Sequence, residues 1–239
     1  MGSMAWQGLV RGGRAGTGGF QLVGQVLCAS SSARGVGASA AADAKLDELK
    51  PLLLDEGLPL LWVPRASTVR ALLDAPDART RRQIIGRRWK GVTEDCETVL
   101  HQITHLRLRD DRDFAYDVAN ALKAGHTSAA QALAANLLDS ILQRHLEETL
   151  RIQLTRNDYK AKGIKFNMDD HMLFTAFTFA PVWYAHARYR PKNNDPIPRA
   201  FGRHPSVHGV SRKQYSRVNA VIALMLVTSV IKYLDGELM

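Results

Sequence analysis

Ser128-Ala129-Ala130-Gln131-Ala132-Leu133-Ala134-Ala135-Asn136-Leu137-Leu138-Asp139-Ser140-Ile141-Leu142 opens the most regular segment of the chain. Ala132, Ala135, Leu138, Ile141, Leu142, Leu146 and Leu150 fall on one helical stripe, and Ser128 with Gln131 fits a capping box at its start. The spacing predicts one core-facing helix over 128–150. On either side, apolar residues recur at helical spacing almost everywhere after residue 43, and strand signals are nearly absent. The fold class expected is all-α.

Helices are expected at 43–54, stopped by Gly57; at 67–73; at 78–89, started by Pro76-Asp77; at 93–108; and at 113–123, closed by Gly125. After the 128–150 helix, residues 157–167 read as a polar loop, and 169–186 as a buried helix that Pro181 kinks. Residues 190–198 form a proline-punctuated basic loop, and Ser211 is expected to cap a last helix from Arg212 to Leu234. The organisation implied is a helical domain at 119–239, a smaller helical module at 43–118, and a basic Gly/Ala/Ser-rich tail at 1–42. The tail holds Arg11, Arg14 and Arg34 and no acid, which suits a disordered segment and also resembles an organelle transit peptide.

The chain has 239 residues, 46% of them hydrophobic and 23% charged, which is globular composition with ample length for a core. Cys28 and Cys96 lie far apart, which argues against a disulfide scaffold and against a thiolate zinc site. A reducing cytoplasm is the expected compartment. The apolar run Ala220–Ile231 is shorter than the roughly 20 residues a bilayer span needs, so no membrane association is expected.

The formal net charge is +9, and it is unevenly placed. Segment 43–184 is neutral by count, whereas 185–217 holds eight basic residues and one acid. Such a focused field attracts polyanions. Inside it lies Arg203-His204-Pro205-Ser206-Val207-His208. Metal-free RNA cleavage requires proton transfer from the 2′-hydroxyl and neutralisation of the phosphorane; a histidine suits the first and a guanidinium the second. On residue types alone, a basic turn before a helix remains the competing reading. The pairs His101/His105 and His204/His208 also have the four-residue spacing that can grip a metal, but neither has a third ligand at a fixed offset. No metal or cofactor is expected.

Residues 203–234, with the Arg203-to-His208 motif, Gly209, Gln214-Tyr215, Arg217, Val218-Asn219-Ala220 and the long apolar run ending Lys232-Tyr233-Leu234-Asp235, resemble the C-terminal part of HEPN-domain proteins. The family's motif is R-x-x-x-x-H, commonly with Asn, Asp or His after the arginine, and His204 stands there. The 128–139 segment is similar to the family's first long core helix; residues 1–118 show no such resemblance.

The resemblance implies an HEPN-like helical bundle that dimerises with two motifs facing each other. It further implies a metal-independent endoribonuclease that leaves 2′,3′-cyclic phosphate ends, often a toxin or phage-defence effector held by an antitoxin or regulatory protein. Arg203 and His208 would be catalytic and His204 supporting, while Arg199, Arg212, Lys213 and Arg217 would hold RNA phosphates. Pro205 departs from the pattern and is expected to leave Arg203 in a loop, with His208 near a first helical turn. The alternative is a non-catalytic HEPN-fold module that binds nucleotide or RNA.

Overall fold

The apolar C-terminal run needs enclosure on every side, and the other helices supply it. The computed structural model describes residues 46–157 and 166–238; the expected tail at 1–42 and most of the expected 157–167 loop lie outside them. Ten α-helices are described: α1 Leu46–Leu54, α2 Ala66–Leu73, α3 Ala78–Arg87, α4 Trp89–Leu100, α5 Arg109–Lys123, α6 Thr127–His145, α7 Glu148–Thr155, α8 Leu173–Ala185, α9 Arg203–His208 and α10 Arg217–Leu238. Among the described residues there is no strand, only an isolated bridge between Asn157 and Ala187, so the all-α expectation holds.

Helix α10 is the axis of the fold. Residues Ala220 to Ile231 are buried without interruption, which no surface helix could tolerate, and α3, α4, α5, α6 and α8 all pack on it. At 22 residues, with a mean hydropathy of 1.6 in its most apolar window, it is long and apolar enough to cross a membrane; 89% of that window is buried inside the protein. The polar ends that the apolar run excluded are helical too, so α10 extends beyond Ala220–Ile231 at both ends. Its start differs as well. Ser211 caps only a turn, receiving the Lys213 N–H, whereas Ser216 receives the Asn219 N–H and opens α10 at Arg217.

The 128–150 stripe is two helices rather than one. The chain turns extended at Leu146, ending α6, and α7 follows with its own packing on α8. The capping box does not form, since α6 begins at Thr127 without a side-chain cap. Gln131 is fully buried instead, and works elsewhere. Similarly, the 93–108 segment stops at Leu100, and the 169–186 segment begins with a short turn at Met168–Asp170 before α8. Asp77 does cap α3, its Oδ1 accepting the Thr80 N–H at 2.7 Å.

One hydrophobic cluster runs from Leu49 to Leu234, and the expected domain division at 118/119 falls inside α5. Polar ties cross that division. Asp111, fully buried on α5, receives Arg144 Nη1 at 2.5 Å and faces His145 Nε2 at 2.7 Å, both from the last turn of α6. Asp235, near the end of α10, accepts the backbone N–H groups of Thr104 and His105 at 3.0 Å each. Burial pushes this carboxyl's pKa up, but those two donors and Lys232 outweigh it and hold the group below its ordinary value.

Two glycines close helices with positive φ, Gly57 at +65° and Gly125 at +85°. After α5, the His126 N–H reaches Ala121 O and the Gly125 N–H reaches Leu122 O, a Schellman closure. A Cβ on Gly125 would meet nothing, whereas one on Gly57 would lie 2.2 Å from Tyr184 Cδ1. In urea denaturation, Gly125→Ala should lose about 1–2 kcal/mol, the cost of left-handed backbone for an L-residue. Gly57→Ala should lose roughly 1–3 kcal/mol more, from overpacking against the Tyr184 ring.

Candidate functional site

The segment that carries the Arg–His motif is held by buried amides. Gln131, Gln214 and Asn219 are each fully buried. Gln131 Nε2 donates to Ser206 Oγ at 2.9 Å and to Gln214 O at 3.1 Å, while its Oε1 accepts the Ser216 N–H. Gln214 Nε2 donates to the carbonyls of Pro198 and Ala200, and Asn219 Nδ2 donates to Arg199 O. From α3, Arg82 Nη2 closes the set onto Asn219 Oδ1 at 2.7 Å and Arg199 O at 3.1 Å. An unpaired buried amide costs about 1–3 kcal/mol, so these partners fix segment 198–219 against α6, α10 and α3 in one register. Tyr215 adds to this hold by donating its hydroxyl to Ser206 O.

Within that frame α9 is a six-residue helix, so Arg203 stands at its first position and not in a loop. Pro205 is the third helical residue, where the missing N–H would have had no intrahelical acceptor. Five helical residues place Arg203 and His208 roughly 140° apart around the axis, so they do not converge. The imidazole that accompanies Arg203 is His204, with Nη1 and Nδ1 3.5 Å apart. His208 is exposed at the end of α9, its ring stacked on His204 at 6.1 Å and 22°.

Arg203 and His204 line a polar cleft of about 310 Å³ with Asp139, Leu142 and Gln143 from α6, Arg151 and Thr155 from α7, and His186 after α8. Asp139 Oδ2 accepts from Arg203 Nη2 at 2.6 Å, and both side chains are largely covered. The Arg203 Nε is buried without a partner. Arg151 has no ion-pair partner among the described residues.

His186 is buried, with Nδ1 2.8 Å from Val182 O. A carbonyl only accepts, so Nδ1 carries the hydrogen and Nε2 keeps a lone pair. Burial pushes this pKa down to about 4, the neighbouring His204 and Arg203 adding to the effect. Burial also lowers the pKa of His204, helped by the charges of Arg203 and His208. The cleft therefore offers two neutral imidazoles, two guanidiniums and one carboxylate at neutral pH. Such a set can grip a phosphate and accept a proton.

The phosphate-contact candidates do not gather in the cleft. Arg212 and Lys213 are exposed in the turn before α10, and Arg199 is exposed while its carbonyl serves the amide network. Arg217 lies with its guanidinium over the Trp89 ring at 5.0 Å. His101 and His105 share no helix, because α4 ends at Leu100; among the described residues no group of three or more His, Cys, Asp and Glu could hold a metal ion. Trp183 anchors structure, its Nε1 donating to Arg156 O.

The sequence reading missed His186, Gln143, Arg151 and Thr155, which come from three separate elements and carry no shared spacing. Asp139 was legible as a polar residue among apolar ones on a core helix. Comparison of the chain with family profiles, with curated proteins and with solved structures finds no match.

The folded pKa of His186 lies near 4 against an ordinary value of 6.5. The unfolded chain thus binds the proton first, so the stability is fully present above pH 6.5 and is lost as pH falls toward 4, by about 3 kcal/mol in all. Denaturant midpoints measured from pH 7 to pH 4.5 should fall steeply, and His186→Gln should flatten that decline.

Proposed function

We propose that the protein is a metal-independent endoribonuclease acting through α9. The observation that carries this reading is the pairing, in one polar cleft, of the Arg203 guanidinium with the His204 imidazole, backed by His208 stacked on the same ring. Arg203 would bind the scissile phosphate and stabilise the charge that develops on it. His204, kept neutral by burial and by Arg203, would accept the 2′-hydroxyl proton. His208, exposed at the end of α9 with its ring against His204, would protonate the leaving 5′-oxygen, either within one chain or across a homodimer that brings two α9 helices together. The products are a 2′,3′-cyclic phosphate and a 5′-hydroxyl. A toxin or phage-defence role under an inhibitory partner agrees with an enzyme that cuts RNA.

One observation favours the alternative of a non-cleaving nucleotide- or RNA-binding module. Asp139 already neutralises Arg203 at 2.6 Å, and cleavage requires the phosphate to displace or share that partner.

Total RNA incubated with purified protein in excess chelator, followed by end-group mapping, separates the two. Wild type should leave cyclic phosphate ends. Arg203→Ala should lower the rate at least about 100-fold. His204→Ala and His208→Ala should each lower it about 100- to 10,000-fold, the range for losing a proton-transfer group. Equal RNA binding by all four proteins with no cleavage by any would establish the binding module instead.

A further inference from the structure

The neutral count over 43–184 conceals a local excess that the fold moves to the site. Residues 78–90 carry six basic residues and no acid. Three of the six are committed to the fold. Arg81 pairs with Glu56, Arg88 donates to Ser67 O, and Arg82 enters the amide network. Arg87 and Lys90 are exposed and have no ion-pair partner among the described residues.

Three contacts attach this junction of α3 and α4 to the motif-bearing segment. Arg82 bonds Asn219 and Arg199 O; Gly86 lies against Val218, whose Cγ2 is 3.1 Å from the position a Cβ would take; and Trp89 carries both Arg217, 5.0 Å from its ring centroid, and Lys90, at 5.7 Å. The indole ring holds both cations at cation–π distance, a gain that takes the place of an acidic partner. Their charge is therefore left available to an outside anion. Arg212 and Lys213 are exposed in the turn that joins α9 to the start of α10. Gln131, beside the start of α10, and Asp139, in the cleft, are separated by eight residues of α6, roughly 12 Å.

We infer that Arg87, Lys90 and Arg217 around Trp89, with Arg212 and Lys213, form one polyanion-binding surface along which single-stranded RNA reaches the α9 cleft. RNA as the ligand rests on the ribonuclease reading; the surface itself rests on charge and contact. This gives the helices before residue 109 a function in substrate capture. Phosphate contacts of this kind supply affinity and not sequence selectivity.

The test is fluorescence anisotropy with a labelled single-stranded RNA of about 20 nucleotides across a salt series, a length that spans the usual single-strand site sizes. Wild type is compared with Arg87→Glu/Lys90→Glu, with Arg212→Glu/Lys213→Glu, and with the control Arg107→Glu/Arg109→Glu. The control makes the same change in net charge beside Asp235, roughly 27 Å along α10 from Arg217. Thermal melts confirm that each variant is folded.

Each test variant should lose at least about tenfold in affinity, and the slope of log K against log salt should shrink by about 1.4, the value for two single-strand phosphate contacts. The control should stay within about threefold, since distant charge is screened. Equal losses in test and control variants would reduce the effect to net charge and overturn the surface. Undiminished affinity in the folded test variants, or no RNA binding by wild type, would overturn it as well. So would affinity lost for phosphatidylserine vesicles but kept for RNA. If no protein cleaves RNA and the selective affinity loss persists, the ribonuclease reading fails while the surface stands.

Discussion

A helix that is apolar around its whole circumference has to be enclosed, and α10 sets that demand for this chain. Each Val, Leu, Ile or Met taken from water contributes about 1.5–3 kcal/mol, and α10 has them on every face. Helices α3, α4, α5, α6 and α8 meet the demand together, which is why one hydrophobic cluster joins residues as distant as Leu49 and Leu234. The boundary expected at 118/119 lies within α5, and buried residues on both sides of it belong to that cluster. Helix α4 packs on α10, as α6 does.

The enclosure also positions the site. At its N-terminal end α10 presents the buried Asn219 side chain, and Arg82, Arg199 and Gln214 supply its partners, while Gln131 holds Gln214 in turn. Segment 198–219 is consequently pinned at both edges of α9, and the short helix is held rigidly although it buries little apolar surface of its own. From that hold follow the cleft, the ion pair of Arg203 with Asp139, and the neutral state of His204 and His186. At its other end Asp235 receives two backbone N–H groups and closes the link between α4 and α5.

Charge behaves differently from burial here. A linear count places the excess in 185–217, but the fold brings a second run, 78–90, against it through Trp89 and Arg217. Averaging over 43–184 cancels those cations against acids elsewhere on the surface. Local concentration, not the segment total, governs attraction for a polyanion at screening lengths of about 8 Å.

The sequence by itself determined the all-α class, the existence of most helices, the apolar C-terminal axis and the presence of Arg203 with two histidines in a basic stretch. These depend on periodicity and composition, which are local properties of the chain. It misjudged the single 128–150 helix because a stripe of leucines continues across the break at Leu146: apolar spacing does not record whether the backbone between two buried residues stays helical. It also read Gln131 as a cap, since a capping pattern and a buried amide look alike until a partner is known. Tertiary structure alone decided that His204 and not His208 stands beside Arg203, that His186, Arg151 and Asp139 complete the cleft, and that Arg217 belongs to Trp89. Those residues come from different helices, and only packing around α10 sets the distances between them.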